Sequence, residues 1–284
     1  MKPIHNILVP VDFTENSVSL LKHAIQVAKP FNAKILIFHT YARPVLQKSL
    51  EGRFDYSIVK SLERYKMWKA ERQINTRFKH LVKLVPELKT IKHDFIKNVG
   101  TIVKQVVKAA AEHKADIILM GTGGATGFDE FWGSKASQIS MQTKIPVLIM
   151  PFKSSILKPG KIAFAYDFNK IKDLAELDII KLFSLVYEAE VHVLNINESS
   201  TVPTSKQQAE IDRLREYFKD HDHSVHIKVH KDIEQGISEY IKQNEISILV
   251  VLHRSRSFFG NLFHDSLTEK FAYHSSIPVL ALEG

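Results

Sequence analysis

Four short apolar segments occur twice in this chain, in the same order, and no other feature limits its fold so tightly. Ile7-Leu-Val-Pro-Val-Asp-Phe13 matches Ile162-Ala-Phe-Ala-Tyr-Asp-Phe168, which sets Asp12 and Asp167 155 residues apart. Lys34-Ile-Leu-Ile-Phe-His39 matches Glu190-Val-His-Val-Leu-Asn195 at an offset of 156. Asp116-Ile-Ile-Leu-Met120 matches Ser247-Ile-Leu-Val-Val251 at 131, and Ile145-Pro-Val-Leu-Ile-Met150 matches Ile277-Pro-Val-Leu-Ala-Leu282 at 132. Repeats of this kind decide an architecture before any local propensity does. The drop in offset makes the second copy 25 residues shorter between its second and third segments.

Each copy alternates strand and helix. In the first, strands are expected near 4–10, 34–39, 90–96, 116–121 and 145–150, with helices near 15–29, 58–85, 99–113 and 134–142. In the second, strands are expected near 161–166, 190–196, 225–230, 247–252 and 277–282, with helices near 170–188, 205–220, 233–243 and 266–274. The long helix carries a one-sided apolar stripe at Ile58, Leu62, Tyr65, Ile74, Phe78, Leu81 and Val85. Such alternation calls for parallel sheets covered on both faces. The expectation is an α/β chain with two doubly wound, open, parallel five-stranded sheets. The domains would span 1–152 and 160–284, joined by the Pro- and Ser-bearing segment 151–160.

Gly121-Thr-Gly-Gly124, with Gly133-Ser134 beyond it, follows the fourth strand of the first copy. A strand, a glycine-rich turn and a helix N-terminus make a phosphate site, because glycine lets backbone N–H groups approach an anion. In doubly wound sheets ligands sit at the carboxyl ends of the strands, where the strand order reverses. Asp12, just past the first strand, and Gly121, just past the fourth, flank that crevice. Asp12 also suits the start of the first helix as a capping residue.

Composition excludes several classes. The 284 residues include no cysteine, which removes disulfides, thiol nucleophiles and Cys-based zinc sites. No apolar run approaches the ~20 residues that span a bilayer, and Met1–Pro10 lacks the apolar stretch of a signal peptide, so a cytoplasmic protein without membrane contact is expected. The net charge of +8 is spread over faces with interleaved acids, which argues against nucleic acid as the partner. His221, His223, His226 and His230 suggest a metal cluster. However, His226, Lys228 and His230 alternate with Val225, Ile227 and Val229, as on the wet face of an outer strand, so no metal is expected. Gly-x-Ser-x-Gly and the P-loop order are both missing, and no residue reads as a catalytic base.

The strand-one motif, the Met-Gly-Thr-Gly-Gly-Ala-Thr-Gly loop, Gly133-Ser134 and Ile-Pro-Val-Leu-Ile-Met together resemble the universal stress protein family. The whole chain resembles a tandem member of it. That resemblance implies strand order 3-2-1-4-5 in each half, and an ATP site in those members that keep Gly-x2-Gly-x9-Gly-Ser/Thr. It implies that Asp12, with Pro10 beside it, faces the adenine or ribose, that Met120 and Gly121 lie along the nucleoside, and that Gly124, Gly133 and Ser134 hold phosphates. The first copy departs from the spacing, since Ala125–Trp132 is eight residues where the family has nine. In the second, Leu252, Ser255, Asp265 and Ser266 stand at the motif positions, so all three glycines are gone and Asp265 would repel a phosphate.

The resulting expectation is a stress-response module that binds or senses ATP in the N-terminal half only. It is not an enzyme, although slow ATP hydrolysis is left open. The alternatives are an interaction protein that binds no nucleotide and, more remotely, a nucleotide-dependent α/β enzyme. The fifth strands, 145–150 and 277–282, are expected to pair within the chain and create a pseudo-two-fold. A protein partner and homodimerisation remain open.

Overall fold

The computed structural model describes residues 2–43, 56–122, 129–151, 160–253 and 275–283. The first half runs β1 (Asn6–Pro10), α1 (Glu15–Phe31), β2 (Lys34–Tyr41), α2 (Tyr56–Leu84), a 3-10 turn (Pro86–Thr90), β3 (His93–Val99), α3 (Ile102–Glu112), β4 (Ile117–Gly121), α4 (Asp129–Ser140) and β5 (Val147–Met150). The second runs β6 (Lys161–Ala165), a 3-10 turn (Leu174–Leu177), α5 (Asp178–Tyr187), β7 (Glu190–Asn197), α6 (Ser205–Phe218), β8 (His223–Val229), α7 (Ile233–Gln243), β9 (Ile248–His253) and β10 (Val279–Glu283). The linker 152–159 and the helix expected at 266–274 lie outside the described residues.

The two five-stranded sheets pair through their fifth strands, as expected, and so form one continuous sheet. Its ten strands follow the order β3-β2-β1-β4-β5-β10-β9-β6-β7-β8. Within each half the order is 3-2-1-4-5 and the pairing is parallel. The halves join where β5 and β10 run antiparallel, with Leu280 opposite Leu148. The strand order is therefore symmetric about that seam. Both seam strands are apolar and buried. Left as edges they would offer unpaired backbone groups beside apolar side chains, and pairing removes both liabilities at once.

Strand alternation splits the core between two faces. Ile7, Val9, Ile35, Ile37, Ile117 and Leu119 point to the face covered by α1, α5, α6 and the C-terminal end of α2. Leu8, Leu36, Phe38, Ile118 and Met120 point to the face covered by α3, α4 and α7. Each face is one cluster running through both halves. Phe31 at the end of α1 meets Phe183 of α5 at 5.9 Å between ring centres. The halves thus share apolar burial as well as strand pairing.

The apolar stripe of α2 divides in the structure. Ile74 and Leu81 are buried, whereas Ile58, Leu62, Tyr65 and Trp68 are exposed. A 29-residue helix is about 44 Å long, while the eight residues of β2 span about 26 Å. The surplus has no sheet beneath it. Glu71 fixes the level of the strand ends, since it accepts from Tyr41 Oη at 3.1 Å and lies 3.7 Å from Lys97 Nζ of β3. Residues N-terminal of Glu71 project past the carboxyl ends of the strands.

β8 is an outer strand, as its alternation suggests. Its histidine face is nevertheless not all wet. His226 is half-buried and stacks on the buried His192 at 5.0 Å, with Tyr240 of α7 at 5.4 Å.

Candidate functional site

β1 pairs with β4 through Ile7–Ile117 and Leu8–Ile118. Continued to the strand ends, this register sets Pro10 beside Met120 and Val11 beside Gly121. The structure therefore brings together three of the expected site residues, Pro10, Met120 and Gly121. Pro10 is buried, and the Met120 side chain is fully buried in the core under α3 and α4. Met120 is thus positioned by packing, and only its backbone lies near the strand end.

Asp12 follows β1. Its Oδ1 accepts from Thr14 N at 3.0 Å, Thr14 Oγ1 at 2.5 Å and Ser17 Oγ at 2.7 Å. Helix α1 starts from Thr14, whose hydroxyl donates to Asp12 rather than capping the helix itself. The Asp12 carboxylate therefore holds the turn one step upstream of the helix. Its other oxygen, Oδ2, is out of solvent and has no hydrogen-bond partner. A buried carboxylate oxygen without a donor is costly and rare.

Phe13, next along, is left-handed at φ 64°, a conformation that costs a residue with a side chain about 1–2 kcal/mol. The turn sends its ring against His39 at 4.4 Å and under the Arg77 guanidinium at 5.1 Å. Arg77 also donates to the Asp12 carbonyl at 3.3 Å. His39 Nδ1 donates to the Val11 carbonyl at 2.7 Å. Burial pushes the His39 imidazole below its usual range; the Val11 carbonyl opposes this, Arg77 adds to it, and Asp12 opposes it. His39 is thus neutral at pH 7, with Nδ1 carrying the proton.

Sequence reasoning did not single out His39 or Arg77. The signal for His39 was present in the repeat, because it aligns with Asn195. Asn195 Nδ2 donates to the Tyr166 carbonyl at 2.8 Å, the same bond in the second half. Arg77 carries no comparable mark in the sequence.

Gly121 closes β4 with no left-handed φ, and a Cβ there would meet Leu20 Cδ1 at 3.7 Å, an ordinary contact. Neither strain nor packing asks for glycine at this point. Gly124 lies outside the described residues. Helix α4 begins at Asp129, five residues earlier than expected, so Gly133 and Ser134 sit in its second turn. The unpaired N–H groups of the helix start lie upstream of Gly133.

The corresponding turn of the second half is differently satisfied. Phe168 repeats the left-handed turn at φ 55°. Asp167, however, accepts from Asn169 N at 2.9 Å on Oδ1 and from Asn169 Nδ2 at 2.7 Å on Oδ2. Beside it, Tyr166 Oη donates to the buried Glu210 at 3.0 Å, and Glu210 also accepts from Ile171 N at 3.2 Å and Arg213 Nη1 at 3.1 Å. This network ties the loop after β6 to α6. Of the second glycine-loop equivalents, Leu252 packs on the core, and Ser255, Asp265 and Ser266 lie outside the described residues.

The histidines of the second half hold local partners. His223 Nδ1 donates to the His221 carbonyl at 2.9 Å, and His226 Nε2 meets Ser224 Oγ at 2.8 Å. His192 Nε2 lies 3.0 Å from Glu190 Oε2 without forming a hydrogen bond to it. Among the described residues, no group of three or more His, Cys, Asp or Glu side chains is placed to hold a metal ion. No helix among them is long and apolar enough to cross a membrane.

Two parallel 3-2-1-4-5 units joined at their fifth strands define a tandem α/β protein of the kind that carries ligands at its strand ends. The chain belongs to the universal stress protein family, whose sequence pattern matches residues 3–151 and again 160–283. It is similar to a universal stress protein of Methanocaldococcus jannaschii, at 28% identity over 147 residues, covering 51% of this chain and 80% of that one. Among solved structures it resembles a universal stress protein from Archaeoglobus fulgidus, with TM-score 0.67 and 19% identity over 98% of both chains. It also resembles a protein of unknown function from Pseudomonas aeruginosa, with TM-score 0.63 and 13% identity, covering 99% of this chain and 92% of that one. These structural likenesses extend over both halves.

Proposed function

We propose that this protein is a cytoplasmic ATP-binding sensor with one working site, at the strand ends of the N-terminal half. The observation that carries this reading is the contrast between Asp12 and Asp167. Asp12 keeps one buried oxygen without a donor, whereas both oxygens of Asp167 are taken by Asn169. A ribose hydroxyl or an adenine amine would supply the missing donor. Gly121, which the fold does not require to be glycine, would let the nucleoside approach the backbone. Gly124 and the free N–H groups at the start of α4 would serve the phosphates, with Gly133 and Ser134 following in its second turn. Pro10 and Met120 would shape the crevice floor.

The units 1–152 and 160–284 then have different tasks, the second acting as a structural or partner-binding half. Turnover is not the purpose of the site, which binds and reports. Isothermal titration with ATP tests this. Wild type and Asp167→Ala should fill the crevice with equal affinity, and Asp12→Ala should weaken that binding at least tenfold, the loss of one charge-assisted hydrogen bond. Absence of saturable binding by wild type would return the chain to the reading of a nucleotide-free interaction protein.

A further inference from the structure

One face of α2 gathers aromatic and basic side chains. Tyr65, Trp68, Lys69, Arg72 and Arg77 line an open cleft of about 530 Å³, and none of its described lining residues is acidic. They recur at helical spacing, so they form one stripe about 18 Å long from Tyr65 to Arg77. The rings of Tyr65 and Trp68 stack at 6.0 Å with 28° between planes, and the Arg72 guanidinium lies over Trp68 at 5.4 Å. This aromatic ladder is ordered, yet Tyr65 is 58% and Trp68 55% exposed. The stripe ends at Arg77, the residue that touches Asp12.

We propose that this face of α2 is a second ligand surface, separate from the Asp12 crevice, that takes a nucleoside polyphosphate. The base extends the Tyr65–Trp68 ladder, and the phosphates lie along Lys69 and Arg72. Stacking on an exposed aromatic is worth about 1–3 kcal/mol per base, and Arg and Lys supply the charge a polyphosphate needs. The cleft volume falls in the range of small-molecule sites. A second copy of the chain fits less well, because a face-to-face pair would bring Lys69 and Arg72 against their own equivalents in a chain of net charge +8. The surface does not depend on the crevice reading and stands or falls by itself.

The chain has two tryptophans, so Trp132→Phe leaves Trp68 as the only one. In that background, ATP should quench Trp68 emission saturably. Adenosine should do so at least tenfold more weakly, and tripolyphosphate should displace ATP without quenching. Lys69→Glu with Arg72→Glu should weaken ATP at least tenfold while the circular dichroism spectrum is retained, and Asp12→Ala should leave the quench in place. Quenching that vanishes with Asp12→Ala would make the signal a report of the crevice and overturn the second surface. So would a quench unaffected by the double charge reversal. A Trp68-dependent dimer in sedimentation, or an oligoribonucleotide binding more than a hundredfold tighter than ATP, would assign the face to a different occupant and equally overturn the proposal.

Discussion

The two halves build the same turn after their first strand and finish it with different donors. Both place a phenylalanine in the left-handed region, and both use a side chain at the end of the second strand, His39 or Asn195, to hold the carbonyl before the aspartate. They part at the carboxylate. Three donors crowd one oxygen of Asp12 and leave the other bare, while Asn169 takes both oxygens of Asp167 and the Glu210 network closes the loop beside it. Duplication has preserved the backbone geometry. The divergence lies in spare hydrogen-bonding capacity, and capacity is what a ligand uses.

The comparison can be broken most forcefully at Glu210. Glu210→Ala leaves the Ile171 N–H without its acceptor and takes the carboxylate from Arg213 and the Tyr166 hydroxyl, which keep the Ile171 and Asn169 carbonyls, and should cost about 3–5 kcal/mol in urea unfolding. A loss under about 1 kcal/mol would mean that the network does not hold the second turn. The seam comes next. Leu280→Ala, opposite Leu148, should cost about 3 kcal/mol. Because both cores are shared, fluorescence and circular dichroism should still report one transition. Two separated transitions would show that the halves unfold as independent units.

A smaller effect follows from grafting the chemistry of one half onto the other. Thr14→Asn offers Asp12 the amide that Asn169 offers Asp167, so ATP affinity in calorimetry should fall about tenfold, or 1.4 kcal/mol, with stability little changed. Unaltered affinity would sever the link between the bare oxygen and binding.

The smallest expected effect is pH dependence. Burial lowers the His226 pKa, with His192 and Lys228 adding to this and Glu190 opposing it. The folded pKa therefore lies below the unfolded value of about 6.5, and the unfolded chain binds more protons in between. Stability should be full above about pH 6.5 and fall on acidification through that window. His226→Gln should remove part of the fall, and His39→Gln should remove the share of the first half, where burial likewise lowers the pKa. If the urea midpoints of both variants track wild type from pH 7.5 down to about 5.5, neither ring is a source of the slope.

Much of this architecture could be read from residue order. The repeat located the first, second, fourth and fifth strands of each half to within a few residues, the strand–helix alternation located the third, and the 3-2-1-4-5 order followed from the family resemblance. The errors share a cause. The helix expected from 170 starts as α5 at Asp178, because Ile171 is drawn into the core and its N–H goes to Glu210, 39 residues away. The stripe of α2 looked like a single buried face, yet half of it has no sheet to cover. His226 looked wet but lies between His192 and Tyr240. In each case a partner distant in sequence overrode the local period. At the candidate site, Asp12 and Gly121 were legible from their places at strand ends, whereas Arg77 was not, since nothing near it in sequence predicts contact with residue 12.

Alternating apolar segments, twice over, were enough to determine two parallel units, their helical cover and the end of the sheet where a ligand would sit. Period and turn chemistry are local, so the chain carries them in its order. Only the tertiary structure decided that the seam between the units runs antiparallel with Leu280 opposite Leu148, and that Asp12 has an oxygen to spare while Asp167 has none. Whether a buried polar atom is satisfied depends on every donor that folding brings within about 3 Å, and those donors come from anywhere in the chain.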